Sequence, residues 1–470
     1  MIKNSHRARW AVATSAVAVG LLSAAACGHF NESLLEPQNP GLVDATAVGS
    51  PAAAQALKIG AIGRWRMLLN NCNSNTECLW QEGGMLADEF KNADFQPTRQ
   101  DVDQRTMAID NDQAGYGTNT QIRGFVRQAI IAEQTYQPTN TADIGELFMA
   151  WGFTEMSLAE TYCNGIPLGH TDNGNVVLGP PLTNSQVYDS ASAHLDSALA
   201  YTAGGTDPGN PFIHQAALIV KARILVNKGQ YAAAAALVST AAVPSSYQYI
   251  WTSSTASNSD DNGLWSLNWG ASRITVADSF DIVNGQENII KNNLPFASAN
   301  DPRVPVLTGA SQKLGSEDGT TPLFLEALWK GRDDPMPVAS GIDARMIEAE
   351  AKLNAGDYAG MMTILNILRA ASPKIGNYQP GTMAAIATTP ATKDAATTLF
   401  FREKGFWTFG RGQRLGDLRR LIRQYGRTQD NVFPTGVYYK GGNYGTVVNF
   451  PVPPAEAPNG LFNGCIDRAA

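Results

Sequence analysis

The segment Ala222-Arg-Ile-Leu-Val-Asn-Lys-Gly229-Gln-Tyr231 has a counterpart further along the chain in Ala349-Glu-Ala-Lys-Leu-Asn-Ala-Gly356-Asp-Tyr358. In each copy a helical pattern ends at glycine, and the chain restarts with tyrosine and small residues. Glycine is favoured there because it adopts the left-handed conformation that closes many helices. The repeat predicts a helix–turn–helix unit of the tetratricopeptide type, in which the second helix packs on the first.

Helical periodicity continues on both sides of this repeat. The helix at 188–200 is predicted to pair with 146–162, and 392–427 is predicted to hold a final unit. Earlier helices are predicted at 119–136, at 143–162 and from Pro51, with an apolar face of Ala54, Leu57, Ile59, Ala61, Ile62, Trp65, Leu68 and Leu69. The fold class is therefore mostly α, a tetratricopeptide-like helical-hairpin spine with long irregular insertions and a few short strands.

Two insertions, around 70–115 and 241–335, interrupt the helical pattern. The second is rich in Ser, Asn, Gly and Asp, and its alternation at Leu264–Trp269 predicts a short strand. Irregular stretches of this length in a compact chain are usually functional. We therefore expect ligand-binding residues to lie there.

The N-terminus has the pattern of an exported lipoprotein. A basic stretch and an apolar segment precede Leu21-Leu22-Ser23-Ala24-Ala25-Ala26-Cys27. This order is typical of a signal peptide, and a cysteine directly after the small residues predicts lipidation at Cys27. We divide the chain into a signal peptide (1–26), a lipid-anchored tether and strap (27–50) and one domain (51–470). The alternative is an ordinary secretory signal followed by a chance cysteine.

The remaining cysteines and the net charge limit the possible partners. The formal charge is −7 without a basic stripe, which argues against nucleic acid. Four further cysteines in an exported protein predict two disulfides with three possible connectivities. The short loop favours Cys72–Cys78, which leaves Cys163–Cys465. A metal site is disfavoured because no histidine lies at zinc spacing from these thiols.

Catalytic and cofactor motifs are absent from the sequence. It contains no H-E-x-x-H, no G-x-S-x-G and no phosphate-binding loop, so we predict no cofactor and no metal. Asp88 and Glu89 form an acidic pair that a glycosidase could use. The charged residues between Arg402 and Arg420 are interpreted as structural ion pairs between helices.

Aromatic residues in polar sequence are the remaining candidates, because the flat C–H faces of sugar rings pack well on aromatic planes. Trp65, Trp151 and Trp407 lie on periodic helices and are assigned to the core. From the insertions we select as ligand-binding candidates Trp80, Asp88, Asn92, Trp251, Trp265 and Trp269. Burial and ligand contact remain alternatives for the tryptophans of this set.

The chain resembles the SusD/RagB lipoproteins along nearly all of its length after Cys27. The resemblance is carried by Ala150-Trp-Gly-Phe, Thr161-Tyr-Cys-Asn-Gly-Ile-Pro-Leu168, Asp301-Pro-Arg303, Arg345-Met-Ile-Glu-Ala-Glu350, Arg402-Glu-Lys-Gly-Phe-Trp407, Arg414-Leu-Gly-Asp417 and Pro451-Val-Pro453. It implies a lipid-anchored protein of the outer membrane that works with a SusC-like TonB-dependent transporter. It also implies a ligand site formed by insertions beside the repeat spine.

Three functions were compared on this basis. The leading hypothesis is non-catalytic capture of an oligosaccharide or peptide and its delivery to the transporter. The second is a membrane-anchored glycoside hydrolase that uses carboxylates such as Asp88 and Glu89. The third is a tetratricopeptide-type scaffold that binds only proteins. The missing catalytic motifs disfavour the second, and the abundant loop aromatics disfavour the third.

Overall fold

A computed structural model of the protein describes residues 49–172, 175–283, 285–456, 458–462 and 464–470, except 71–77. The signal peptide, Cys27 and nearly all of the tether lie outside these residues. The helices are α1 Pro51–Asn70, α2 Leu79–Ala87, α3 Pro97–Gln104, α4 Tyr116–Tyr136, α5 Thr141–Thr161, α6 Asn184–Thr202, α7 Asn210–Asn227, α8 Tyr231–Leu237, α9 Gly263–Trp265, α10 Gly341–Asn354, α11 Tyr358–Ala371, α12 Lys393–Trp407 and α13 Arg414–Arg423. The prediction of a mostly α fold is confirmed.

The strands are short and form antiparallel pairs within the described residues. They are β1 Phe90–Asn92, β2 Ile166–Pro167, β3 His170–Asp172, β4 Asn175–Val177, β5 Pro181–Leu182, β6 Gln248–Trp251, β7 Ile274–Val276, β8 Phe280–Val283, β9 Gln286–Ile289, β10 Val306–Thr308, β11 Phe324–Glu326 and β12 Met336–Ser340. The pairs are β1–β7, β2–β5, β3–β4, β6–β12, β8–β9 and β10–β11. The β1–β7 ladder joins the first insertion to the second, and the β8–β9 and β10–β11 ladders form within the second insertion.

The predicted helical hairpins form the spine. α7 and α8 are joined through Gly229, and α10 and α11 through Gly356, with φ angles of 73° and 74°. α5 and α6 pair as predicted and approach closely, because a Cβ on Gly152 would lie 1.9 Å from a methyl carbon of Leu195. Small residues at this crossing therefore set the distance between the two helices.

The predicted final unit differs from the other hairpins. Its two helices, α12 and α13, both form, but α12 packs on α10 while α13 packs on α2 and α5. A buried ion pair between Lys404 and Asp417, 2.7 Å from nitrogen to oxygen, links them. α13 thus joins the C-terminal part of the spine to the first insertion.

Two local predictions were wrong. Residues Leu264–Trp269 do not form a strand, because α9 runs into a π-helical turn at Ser266–Gly270. Leu264 and Leu267 are both buried three residues apart, a spacing that suits a helix better than an alternating strand. On α1, Ala54, Ala61 and Trp65 are buried as predicted, whereas Ile59 is 63% exposed.

The charged residues of the C-terminal helices form buried ion pairs, as predicted. Glu403 accepts from Arg303 and Arg369, with nitrogen–oxygen distances of 2.7 and 2.9 Å. Arg420 pairs with both Glu350 and Asp417. Buried charges persist in proteins only when they are paired and hydrogen-bonded. These side chains therefore fix the relative positions of the elements that they join.

The predicted Cys163–Cys465 disulfide is present, with the two Cα atoms 5.8 Å apart across 302 residues of sequence. It anchors the C-terminal segment to the end of α5, where Cys163 N–H also donates to the Phe450 oxygen at 2.9 Å. Cys78 is disulfide-bonded and fully buried. Its predicted partner, Cys72, lies outside the described residues, so that bridge stays a prediction.

Removing the long disulfide should destabilise the protein strongly. We expect Cys163→Ala with Cys465→Ala to lower the free energy of unfolding by about 2–5 kcal/mol, because the unfolded chain loses a large closed loop. Denaturant unfolding of the oxidised double variant and the oxidised parent measures the difference. Equal stability of the two proteins would contradict a structural role for this bridge.

Among the helices that the structure describes, none combines the length and the apolar character that crossing a bilayer demands. From residue 49 onward, the described chain belongs to one compact unit.

Candidate functional site

Asp88, at the end of α2, is buried, and its carboxylate links α2 to α13. Its two carboxylate oxygens accept from Nε and Nη2 of Arg414 on α13, at 2.6 and 2.7 Å. One of them also accepts the Leu294 N–H at 3.0 Å. A side chain that is 2% exposed and fully paired is out of reach of a ligand. The prediction that Asp88 binds ligand is therefore corrected.

Asn92, the last residue of β1, is likewise fully buried. Its backbone N–H donates to Asp103 Oδ2 at 2.8 Å, and its side-chain oxygen accepts the Asp94 N–H at 3.1 Å. Asn92 thus shapes the turn that follows β1, and the prediction that it binds ligand is corrected as well. Its sequence context gave no sign of these partners, which come from α3 and from the turn itself.

Trp80 and Trp251 belong to the core, each only 3% exposed. Their rings stack with centroids 5.5 Å apart, and Trp251 meets Trp65 edge-on at 4.8 Å. Trp80 also covers Gly412, where a Cβ would lie 2.0 Å from its ring. Both residues sit in polar sequence, but they fill the space between α1, α2 and β6. The prediction that they bind ligand is corrected.

Trp265 and Trp269 remain partly exposed on the irregular second insertion. Asn262 starts this segment, because its side-chain oxygen accepts the N–H groups of Leu264 and Trp265 at 3.0 and 3.2 Å. Asn268 then clamps the π-helical turn by donating to the Ile274 oxygen at 2.7 Å. Both asparagines are fully buried. The two tryptophans are thus presented from a rigid support.

The orientation of each indole ring is fixed by one neighbour. Trp269 Nε1 donates to the main-chain oxygen of Glu326 at 2.6 Å. The Trp265 ring lies against Gly270, where a Cβ would approach its carbons to 3.2 Å. The absence of a side chain at Gly270 therefore leaves room for the Trp265 ring beside the turn. Held rings bind with a smaller entropic loss than mobile ones.

Polar side chains border the Trp265 ring. The Arg332 guanidinium carbon lies 5.8 Å from the ring centroid. Arg332 donates to Asp261 at 2.8 Å and to the exposed Asn258 at 2.9 Å. We call Trp265, Trp269, Arg332 and Asn258 the tryptophan platform. It combines an aromatic surface with donors and acceptors for hydroxyl groups, as carbohydrate recognition requires.

A second exposed aromatic residue, Phe95, lies at the same end of the β1–β7 ladder as the platform. Its side chain is 73% exposed, and it follows the backbone bond from Ala93 N–H to the Arg273 oxygen. Lys440 from a distant segment donates to the main-chain oxygen of Asp94 at 2.8 Å. Sequence reasoning missed Arg332 as a platform residue, because its contact with Trp265 forms only in the folded insertion.

Glu89 is fully buried, and burial raises its pKa to about 8, although the Gly410 N–H bond opposes the shift. That N–H donates to one carboxyl oxygen at 2.9 Å. The Glu89 side chain is therefore a neutral core group at pH 7. Within the described ranges, no three His, Cys, Asp or Glu side chains converge as a metal site requires.

The raised pKa of Glu89 predicts a pH dependence of stability. The folded protein keeps the proton to about pH 8, whereas an unfolded Glu ionises near its usual pKa of 4.5. The contribution of Glu89 to the free energy of unfolding is thus complete below pH 4.5 and is lost as the pH rises towards 8. The free energy of unfolding falls by up to about 1.4 kcal/mol per pH unit in this range. We expect Glu89→Gln to flatten this decline in denaturant unfolding between pH 5 and 8.5. An unchanged pH profile would refute the assignment.

No family model matches the sequence, and no curated protein is similar to it at significant level. Solved structures do share the fold. A laminarin-binding SusD-like protein has a TM-score of 0.60 at 14% identity, covering 89% of this chain and 99% of that chain. A SusD-like carbohydrate-binding protein from Bacteroides fragilis has a TM-score of 0.60 at 12% identity, covering 88% and 99%.

A SusD superfamily protein from Bacteroides vulgatus gives a TM-score of 0.56 at 13% identity, covering 89% of this chain and 99% of that chain. The likeness extends over almost the full length of these proteins. The predicted SusD-like architecture is therefore confirmed as the fold of the described chain.

Proposed function

We propose that this chain, which has the SusD-like fold, is a non-catalytic protein that captures oligosaccharides. The tryptophan platform is the observation that carries the proposal. It offers two held indole rings on an insertion beside the helical spine, and the Trp265 ring is bordered by Arg332, which donates to Asn258. Glycan binding by structural neighbours of the same fold supports the same ligand class.

The geometry of the acidic pair argues against the hydrolase alternative. A glycosidase needs two carboxyl groups that face the scissile bond across an open cleft. Asp88 is paired with Arg414, and Glu89 is buried in the core with 0% exposure. Neither group can reach a sugar without unfolding its surroundings. The proposed role of the protein is therefore binding without turnover.

We further propose that lipidated Cys27 holds the protein at the outer membrane, where it delivers glycan to a SusC-like TonB-dependent transporter. The lipoprotein pattern at 21–27 and the SusD-like fold support this part of the proposal. A captured glycan would be passed on unchanged, and the energy for uptake would come from the transporter.

A screen of purified protein against neutral oligosaccharides and peptides tests the binding function. We expect at least one glycan to bind and to be recovered intact by chromatography after prolonged incubation. Binding of peptides alone would contradict the ligand class, and cleaved glycan would contradict the absence of catalysis.

The anchor is tested separately. We expect Cys27→Ser to move the protein from the membrane fraction to the soluble fraction, because the acylated thiol is lost. Asn31→Ser, four residues after Cys27, is the matched control and should leave the protein in the membrane fraction. Retention of Cys27→Ser in the membrane would refute lipidation as the anchor.

A further inference from the structure

A cleft of about 530 Å³ opens on the spine, away from the segments that form the tryptophan platform. It lies between the start of α6, the turn that joins α7 to α8, and the end of α13. Its lining includes Asn184, Tyr188, Asn227, Lys228, Arg423 and Gln424. This volume is in the range of small-ligand sites, which span about 300–1,000 Å³.

A buried arginine, Arg419, lies next to the cleft-lining residues Tyr188 and Arg423. Arg419 is 0% exposed and lies one helical turn before Arg423 on α13. Its Nη1 donates to the main-chain oxygens of Ala159 and Glu160 at 3.0 and 2.7 Å. Its Nε and Nη2 have no hydrogen-bond partner among the described residues. Buried charge without a counter-ion is costly, which favours an anion nearby.

The neighbouring charges strengthen this field. Burial and then the positive charge of Arg423 lower the pKa of Arg419, and Arg468 acts in the same direction. Glu160 opposes them, but its carboxylate is already paired with Arg223. Tyr188 lines the cleft and interacts with both Arg419 and Arg423. Lys228 is balanced by Asp189, so Arg423 is the cation that the cleft offers to a ligand.

The remaining lining suits hydroxyl groups. Asn184 and Asn227 are 4% and 8% exposed, and their side-chain oxygens lack partners among the described residues. Their amide nitrogens are used, since Asn184 donates to the Tyr162 oxygen at 3.1 Å. Thr183 and Ser185 add hydroxyls at the start of α6. The Thr183 and Ser185 hydroxyls together with the Arg423 guanidinium fit a ligand that carries both hydroxyls and an oxyanion.

We propose that this cleft is a second binding site, for an acidic sugar whose carboxylate or sulfate pairs with Arg423 in front of Arg419. The platform differs in this respect, because its Arg332 is already paired with Asp261 at 2.8 Å. The cleft and the platform would thus select different chemical features of a glycan. The cleft proposal stands or falls independently of the glycan capture proposed for the platform.

Calorimetric titration of purified protein with glucuronate, 6-sulfated glucose and glucose tests the proposal. We expect either acid to bind at least about tenfold more tightly than glucose, because the charged hydrogen bond is absent for the neutral sugar. Tighter binding of glucuronate would identify a carboxylate as the preferred group, and tighter binding of 6-sulfated glucose would identify a sulfate. Either result supports the proposed site. Equal binding of all three sugars would overturn it.

Variants place the binding in the cleft. Arg423→Gln should lower the affinity for the more tightly bound acid at least about tenfold, and Tyr188→Phe should lower that affinity about threefold. Two controls should leave this affinity unchanged. One is Arg64→Gln, at an exposed position on α1, and the other is the double variant Trp265→Ala with Trp269→Ala. Arg423 is exposed, so its variant is expected to fold, which thermal unfolding checks. Unchanged affinity of folded Arg423→Gln would overturn the proposal.

Discussion

Arg414→Met should lower the free energy of unfolding by about 3–5 kcal/mol, because it leaves the carboxylate of Asp88 buried without its partner. In the parent protein both carboxylate oxygens accept from the guanidinium, at 2.6 and 2.7 Å. The pair connects the end of α2 to α13, so its loss also loosens the contact between the first insertion and the spine. Denaturant unfolding at pH 7 measures the change.

A double-mutant cycle makes this prediction specific. Asp88→Asn in the Arg414→Met background removes the stranded charge and keeps an acceptor for the Leu294 N–H, so it should recover about 1–3 kcal/mol. Arg427→Met is the matched control, because its partner Asp394 has an 84% exposed side chain. The control should cost no more than about 1 kcal/mol. Strictly additive losses at 88 and 414 would show that the two side chains do not interact.

Trp265→Ala combined with Trp269→Ala should lower glycan affinity at least about 30-fold, since truncating a tryptophan at the centre of a binding surface typically costs 2 kcal/mol or more. The loss should appear in calorimetric titration with the tightest glycan of the screen. Phe212→Ala is the matched control, because Phe212 is 46% exposed and belongs to α7, outside the platform. The control variant should bind as the parent does.

Thermal unfolding distinguishes the platform from a core role of the same residues. Both indole rings are partly exposed, so we expect a modest decrease in melting temperature for the double variant. Unchanged glycan affinity would refute the platform. A collapse of thermal stability that accounts for the whole loss of binding would instead assign the two rings to the core.

The helical spine could be predicted from the sequence because its determinants are local. The Gly229 and Gly356 turns, with φ angles of 73° and 74°, each precede a helix that begins at tyrosine, Tyr231 or Tyr358. The pairing of α5 with α6 also follows from neighbouring periodic segments. Cys163 and Cys465 could be paired because the short Cys72–Cys78 loop was favoured for the other two cysteines.

The candidate site could be predicted only in part, because exposure is a property of the tertiary structure. Trp80 and Trp251 look as polar in context as Trp265, yet they stack on each other 5.5 Å apart in the core. Asp88 lies 326 residues from its partner Arg414, and no local pattern announces such a pair. Arg332 reaches Trp265 through the folded insertion for the same reason. The segment that bears the platform could therefore be predicted from the sequence, whereas the residues that contact it in the folded chain could not.

A crystal structure of the protein with its tightest neutral oligosaccharide tests the central claim most directly. We predict an intact ligand with one pyranose face packed on the Trp265 ring and hydroxyls within hydrogen-bond distance of Arg332 or Asn258. An oligosaccharide bound elsewhere on the chain, with Trp265 and Trp269 untouched, would contradict the account. So would a cleaved product beside Asp88 or Glu89.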